Sequence, residues 1–267
     1  MSVSEAFRRN NVRVVGQGDR TVVLAHGFGT DQSAWRHQEA ALARTRRVVL
    51  FDHVGAGGSD LSAYSPQRYR SLHSYSADLL ELLAEVSPDA PVDYVGHSMS
   101  GMIGLLAGIA EPARFRSMAF IDASPCYVDG DGYAGGFSQA GIDGFLEAMA
   151  SNYHAWVSGF AGIAVRNPER PELAEEFARG LAAIRPDIAL SVARLIWNAD
   201  HRGDLAALTV PTLIVQAQDD IAVPVSVGQH LADNIPGARL ALIDGYGHVP
   251  HMSAPAAVNE ALRQFFG

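Results

Sequence analysis

Short apolar runs alternate along the chain with longer segments in which apolar residues recur every three or four positions. Such runs lie at 12–15, 22–25, 48–52, 92–95, 118–122, 212–216 and 239–243, and most are rich in Val, Ile and Leu and bounded by Gly, Pro or Asp. Most are unbroken rather than alternating, the pattern of strands buried on both faces. Between them, Leu72, Tyr75, Leu79, Leu82, Leu83 and Val86 fall on one helical face, and so do Met99, Ile103, Leu106, Ala107 and Ala110. Strand–helix alternation predicts an α/β fold with a mostly parallel, doubly wound sheet and right-handed crossovers.

The alternation stops at Pro125. A loop is expected at 130–136, followed by helices at about 138–150, 153–165, 171–184 and 186–199, punctuated by Pro168, Pro171 and Pro186. Strands resume at Val210. The expected organisation is a core made of 1–124 and 205–267, interrupted by a helical insertion over 125–204.

Composition narrows the chemistry. With 48% apolar and 18% charged residues the chain is globular, and 267 residues can bury a core without disulfides or metals. A net charge of −9 argues against a nucleic-acid partner and against a polybasic membrane anchor. The segment 94–110 is the most apolar candidate for a membrane span, but it is short and contains His97, two serines and four glycines, so no span is expected. The first thirty residues carry Arg8, Arg9, Arg13 and Arg20 and no apolar stretch, which reads as no signal peptide. All 20 basic residues are arginine, which excludes Schiff-base chemistry, a Ser–Lys dyad and a phosphate-binding Walker lysine. The one cysteine, Cys126, reads as a small buried hydrophobe and fits a reducing, cytoplasmic location.

Four features carry chemistry. Gly96-His97-Ser98-Met99-Ser100-Gly101 follows one strand and opens a helix, the setting of a nucleophile elbow. Small residues two before and two after the serine relieve crowding at that turn, and Ser100 stands where glycine is usual. His26-Gly27-Phe28-Gly29 follows an earlier strand. Asp220, with Asp219 as the rival acid, follows a late strand, and His248 lies on the last strand's loop in Gly245-Tyr246-Gly247-His248. A serine hydroxyl becomes nucleophilic when an imidazole takes its proton, and a carboxylate must fix that imidazole's tautomer. Rival chemistries fit less well. A dehalogenase would need a carboxylate at position 98. His248-x-x-His251 lacks a third zinc ligand nearby in sequence. Gly55-Ala56-Gly57-Gly58-Ser59-Asp60 has Asp60 where a dinucleotide loop needs its last glycine, so it reads as a core turn. Asp52 is expected to order that turn, and Arg44, Arg46 and Arg47 to form a solvated segment.

These motifs, with Thr30-Asp31-Gln32-Ser33-Ala34-Trp35, Asp220-Ile221-Ala222-Val223-Pro224 and Gly247-His248-Val249-Pro250-His251-Met252-Ser253-Ala254-Pro255, resemble one branch of the α/β-hydrolase superfamily. That branch includes the bacterial stress-response regulator RsbQ and the plant karrikin and strigolactone receptors. Asn152-Tyr153-x-x-Trp156 and Asp200-His201-Arg202-x-Asp204-Leu205 lean toward the bacterial side. The resemblance covers nearly the whole chain. It implies a Ser98–His248–Asp220 triad, backbone N–H groups of Phe28 and Met99 as the oxyanion hole, and a four-helix, V-shaped lid, with no metal or organic cofactor. It favours Asp220 over Asp219. Gly101 stands where the branch has alanine and is expected to leave slack beside the nucleophile.

A helical lid over the carboxyl edge of a sheet makes a ligand pocket. Tyr127, Phe137, Trp156, Phe160 and Trp197, with Phe28 below, are candidates to line it. The resulting expectation is a serine hydrolase of small, mostly apolar esters or butenolide-like lactones. The alternative is a slow-hydrolysing ligand sensor that engages a regulatory protein partner. Carbon–carbon bond hydrolysis and cofactor-free peroxidase chemistry are further variants of the fold.

Overall fold

A computed structural model describes residues 4–267, so the first three positions of the expected 1–124 core segment lie outside the described residues. Strands β1 (Arg13–Val15), β2 (Thr21–Ala25), β3 (Arg47–Phe51), β4 (Val92–His97), β5 (Phe115–Ile121), β6 (Thr212–Asp219) and β7 (Arg239–Tyr246) form one sheet. Its order is β1-β3-β2-β4-β5-β6-β7. Only the β1–β3 pair is antiparallel. Each apolar run of the sequence is a strand. β6 and β7 continue past their apolar runs because they keep pairing with each other across an irregularity, as far as Asp219 opposite Tyr246.

Neighbouring strand residues bury opposite faces. Val22, Leu24, Val48, Leu50 and Val95 pack with Trp35, Val258 and Leu262 on one side. Val23, Ala25, Val49, Phe51 and Tyr94 pack into the larger core on the other. That two-sided burial is why the runs lack polar alternation. Helix α1 (Glu5–Arg9) precedes β1, and α2 (Arg36–Leu42), α3 (Leu72–Val86) and α4 (Met99–Ala110) lie between the strands that follow. Helices α5 (Gln139–Ser151), α6 (Tyr153–Val165), α7 (Pro171–Ala183) and α8 (Pro186–Trp197) follow one another between β5 and β6. The chain closes with α9 (Val225–Asn234), α10 (Pro250–Ser253) and α11 (Pro255–Phe266). No helix among the described residues is long and apolar enough to cross a membrane, and residues 94–110 divide between β4 and α4.

The chain enters and leaves the α5–α8 segment at one place. Cys126 pairs with Asp200 in an isolated bridge, and the His201 amide donates to the Pro125 carbonyl at 2.8 Å. The four helices then lean over the carboxyl ends of the central strands. Phe177 and Leu181 of α7 sit against Gly29, and Ile188 of α8 sits against Gly55. β2 lies between β3 and β4, so the loops that follow β2 and β4 diverge to opposite sides. An open parallel sheet has its ligand crevice at such a switch point.

Two sequence expectations need comment here. Asp52 does order its surroundings: its carboxylate accepts from the amides of Gln32 and Gly58, at 2.8 Å each, and from Asn11 Nδ2 at 2.7 Å. The Gly58 amide of the glycine-rich turn is therefore already engaged. The expected solvated arginine segment holds only for Arg44. Arg46 is buried, because Asp93 of β4 lies fully buried beneath it and requires a counter-charge. Arg46 Nη1 donates to Asp93 at 2.9 Å and its Nη2 to the Gly267 carbonyl at 2.7 Å, while Ser117 Oγ and Arg20 also donate to Asp93. Arg47 is half-buried and donates to the Val86 carbonyl.

Removing one partner of a buried ion pair leaves an uncompensated charge. Asp93→Ala is expected to cost about 3–5 kcal/mol in denaturant unfolding. A loss under about 1 kcal/mol, the range of an exposed pair, would show that Arg46 finds another partner.

Candidate active site

β4 runs into α4 with only Ser98 between them, and Ser98 takes φ 54° and ψ −121°. A non-glycine residue at that φ is strained and must be held by its surroundings. Its amide donates to the Ile121 carbonyl at 2.8 Å, and its carbonyl accepts from the Gly101 amide at 2.9 Å. Gly96 is required two residues earlier, because a Cβ there would press into the Ser100 carbonyl. The expected slack at Gly101 is absent. Ala123 and Phe120 fill that space, so an alanine at 101 would collide with Ala123.

The loops after β6 and β7 bring two further side chains to Ser98. His248 Nε2 lies 2.8 Å from Ser98 Oγ, and His248 Nδ1 lies 2.7 Å from Asp220 Oδ2. Asp220 Oδ1 accepts from the Ala222 amide at 2.7 Å. Asp219, the rival acid, points away and pairs with Arg166. A carboxylate only accepts, so His248 carries a proton on Nδ1 and presents the Nε2 lone pair to the serine hydroxyl. The backbone of His248 is fixed on both sides: its amide donates to the Ala164 carbonyl of α6 at 2.8 Å, and its carbonyl accepts from His97 Nε2 at 2.6 Å. Tyr127 is buried near Ser98, and burial raises the pKa of its phenol.

A second network joins the loop after β2 to the first turn of α4. His26 Nδ1 donates to the Gly27 carbonyl at 2.8 Å, and its Nε2 accepts from the His53 amide at 3.1 Å. Ser100 Oγ donates to the His26 carbonyl at 2.5 Å, which leaves His53 Nε2 as the donor to Ser100 at 2.7 Å. Ser100, standing where glycine is usual, is thus the clasp between the two loops. The amides of Phe28 and Met99 donate to no acceptor among the described residues. Both residues line a pocket walled also by His53, Tyr75, Ile188 and Val192.

Residues 20–255 match the family described as alpha/beta hydrolase fold. The chain belongs to the α/β-hydrolase fold family. It is 42% identical over 245 residues to a karrikin insensitive 2 receptor of Petunia hybrida, covering 91% of this chain and 89% of that one. It is 41% identical over 265 residues to the strigolactone esterase D14 of Arabidopsis thaliana, covering 99% and 98%. Among solved structures it is similar to a hydrolase from Oleispira antarctica, with a TM-score of 0.95, 33% identity and coverage of 98% and 96%. The similarity to plant receptors agrees with the branch to which the sequence motifs pointed.

Within this α/β-hydrolase framework the aromatic candidates divide. Phe28 lines the pocket, and Tyr127 is buried with its ring 4.6 Å from that of Trp197. Phe137, Trp156, Phe160 and Trp197 are not part of that pocket's lining; they pack among themselves around Phe145. Ring centroids lie 4.8 Å apart for Phe145–Trp197, 5.2 Å for Phe145–Trp156 and 4.8 Å for Trp156–Phe160. The reason is helical geometry: residues 156 and 160 share one face of α6, and that face meets α5. Phe145, the hub, was not singled out in the sequence, although its helical spacing from Ile142 and Met149 signals an inward face. The sequence also gave no role to His53, and none to Asp122, which lies beside Asp220. His251 packs 4.5 Å from Trp35 and 4.4 Å from His97, ring to ring.

Three buried histidines surround the site and are held neutral. Burial, and then the neighbouring histidines, lower His53 and His97 well below the ordinary value and His251 to about 3. The unfolded chain takes up these protons near pH ~6.5 and the folded one does not. The stability they contribute is therefore complete above that pH and is lost as pH falls below it, for His251 down to about 3, by up to ~1.4 kcal/mol per pH unit for each group. His251→Phe, which keeps the stack on Trp35, is expected to flatten the fall in unfolding free energy between about pH 6 and 4 by that amount. An unchanged slope would show that His251 is protonated in the folded protein.

Proposed function

We propose that the protein is a cofactor-independent serine hydrolase of small, mostly apolar esters or lactones, butenolide-like ones included. The observation that carries this reading is the continuous hydrogen-bond line from Ser98 Oγ through His248 to Asp220, at 2.8 and 2.7 Å. Ser98 Oγ bonds to the substrate carbonyl carbon while its proton passes to His248 Nε2. Asp220 orients the ring and offsets the imidazolium charge. The free amides of Phe28 and Met99 receive the oxyanion, and the dipole of α4 adds to them. As the C–O bond breaks, His248 returns the proton to the leaving alkoxide, which for a lactone stays tethered as a hydroxyl. Water then attacks the acyl-enzyme, gives its proton to His248, and the acid leaves as Ser98 is restored.

The pocket supports the substrate class. Its walls are mainly Phe28, Val54, Tyr75, Ile184, Ile188 and Val192, with no arginine or carboxylate to fix an ionic group. In this reading α5–α8 act as the lid, the ligand is a small hydrophobic molecule, and the protein works in the cytoplasm.

A second role on the same site has a specific observation in its favour. The His248 amide is bonded to α6, so a change in the lid is transmitted to the triad. With relatives named as receptors, this supports a sensor that hydrolyses slowly and binds a regulatory protein. Many turnovers per site would favour the plain enzyme; few turnovers with a ligand-dependent shift in Tm would favour the sensor.

A fluorophosphonate probe is expected to add one phosphonyl group to the protein in intact-mass analysis. Ser98→Ala should abolish that adduct and p-nitrophenyl ester turnover while leaving Tm within a few degrees. Turnover retained in Ser98→Ala would remove the mechanism.

A further inference from the structure

The mechanism above leaves one titratable group beside the triad without a role. Asp122 ends β5, fully buried, with φ 44°. Its amide donates to the Val215 carbonyl at 2.9 Å and its Oδ1 accepts from the Ala217 amide at 2.8 Å, which fastens it between β5 and β6. Its Oδ2 is buried and finds no hydrogen-bond donor. One oxygen of Asp122, one oxygen of Asp220 and one nitrogen of His248 all lie within 4.8 Å of one another. A proton shared between them would satisfy a buried carboxylate oxygen that has no donor and is set beside a second carboxylate.

We propose that Asp122 is a positioning residue: it holds the proton that its Oδ2 shares with Asp220, so that the acid orienting His248 is a carboxyl pair bearing a single negative charge. The groups that face Asp122 are Asp220 from the loop after β6, His248 from the loop after β7 and Tyr127 from the segment entering the lid. Burial and the neighbouring Asp220 both push the Asp122 carboxyl well above the ordinary carboxylate range, in agreement with the geometry. Asp220 then has three donors, the Ala222 amide, His248 Nδ1 and the Asp122 hydroxyl, and its side chain is fixed from every side. One charge is enough to offset the imidazolium. A second would hold a proton on His248 in the resting state and blunt it as a base.

The proposal rests on the serine-hydrolase reading. Fluorophosphonate labelling of the wild-type chain tests that reading first; a chain that does not label loses the reading itself. With labelling established, two variants are compared for labelling rate, kcat and KM on a p-nitrophenyl ester, and pH profile. Asp122→Asn keeps a neutral donor to Asp220 and tolerates positive φ. It should stay within about twofold of wild type, with the ascending pH limb unmoved. Asp122→Gly relieves the backbone strain but removes the donor. It should lower kcat and the labelling rate about tenfold at unchanged KM, the effect of one charge-assisted hydrogen bond. A low-field proton NMR signal from His248 Nδ1–H, which needs no substrate, should persist in Asp122→Asn and broaden in Asp122→Gly. Three outcomes would overturn the proposal: Asp122→Asn as impaired as Asp122→Gly, an ascending limb displaced by about one pH unit in Asp122→Asn, or Asp122→Gly indistinguishable from wild type.

Discussion

The constraint on which the site depends is that β4 passes into α4 through a single residue. No loop intervenes, so Ser98 must take a left-handed φ, and the energy of that turn has to come from its neighbours. The local design follows from this. Gly96 clears the Ser100 carbonyl, Ile121 of the adjacent strand accepts the Ser98 amide, and Ala123 closes the space beside Gly101. A serine projected at the tip of a strand cannot relax into solvent or into the helix. Its hydroxyl therefore stands where side chains from the β6 and β7 loops converge.

That rigidity extends sideways through polar side chains rather than through the apolar core. Ser100 bridges His53 and the His26 carbonyl, so the loop bearing Phe28 cannot shift independently of α4. His97 holds the His248 carbonyl, and α6 holds the His248 amide. The second of these bonds crosses between core and insertion. Imidazoles suit such positions because each supplies one donor and one acceptor when neutral, and burial keeps them neutral.

Much of this was legible in the sequence because it is local. Strand positions followed from unbroken Val, Ile and Leu runs, and the elbow from small residues around Ser98. The insertion followed from the loss of alternation at Pro125 and from prolines that open α7 and α8. What stayed hidden depends on residues distant in sequence meeting in space. Arg46 looked like part of a solvated basic stretch until Asp93, 47 positions away, was seen buried beneath it. The aromatic residues of the insertion were candidates for a pocket wall; that Trp156 and Phe160 also face Phe145 is decided by the crossing of α5 and α6. Asp122 ends an apolar strand, an unremarked place for a carboxylate, and its neighbour Asp220 arrives 98 positions later through the parallel pairing of β5 and β6.

The charges around the nucleophile then form a consistent set. His53, His97 and His251 are neutral by burial, and the carboxyl pair proposed above leaves one negative charge on Asp122 and Asp220 together. In the resting protein Asp220 accepts from the Ala222 amide and from His248 Nδ1. In the proposed reaction, once Ser98 gives up its proton, the imidazolium of His248 would lie against the pair and the oxyanion against the Phe28 and Met99 amides. Opposite charges thus appear at the two places already built to receive them. In that reading the surroundings stabilise the charge-separated arrangement more than the resting one, and that difference, rather than tight binding of the ester, would lower the barrier. A second ionised carboxyl or a protonated His97 would already bias His248 in the resting state and erode the difference. Deep burial of these neighbours therefore serves the chemistry as well as the packing.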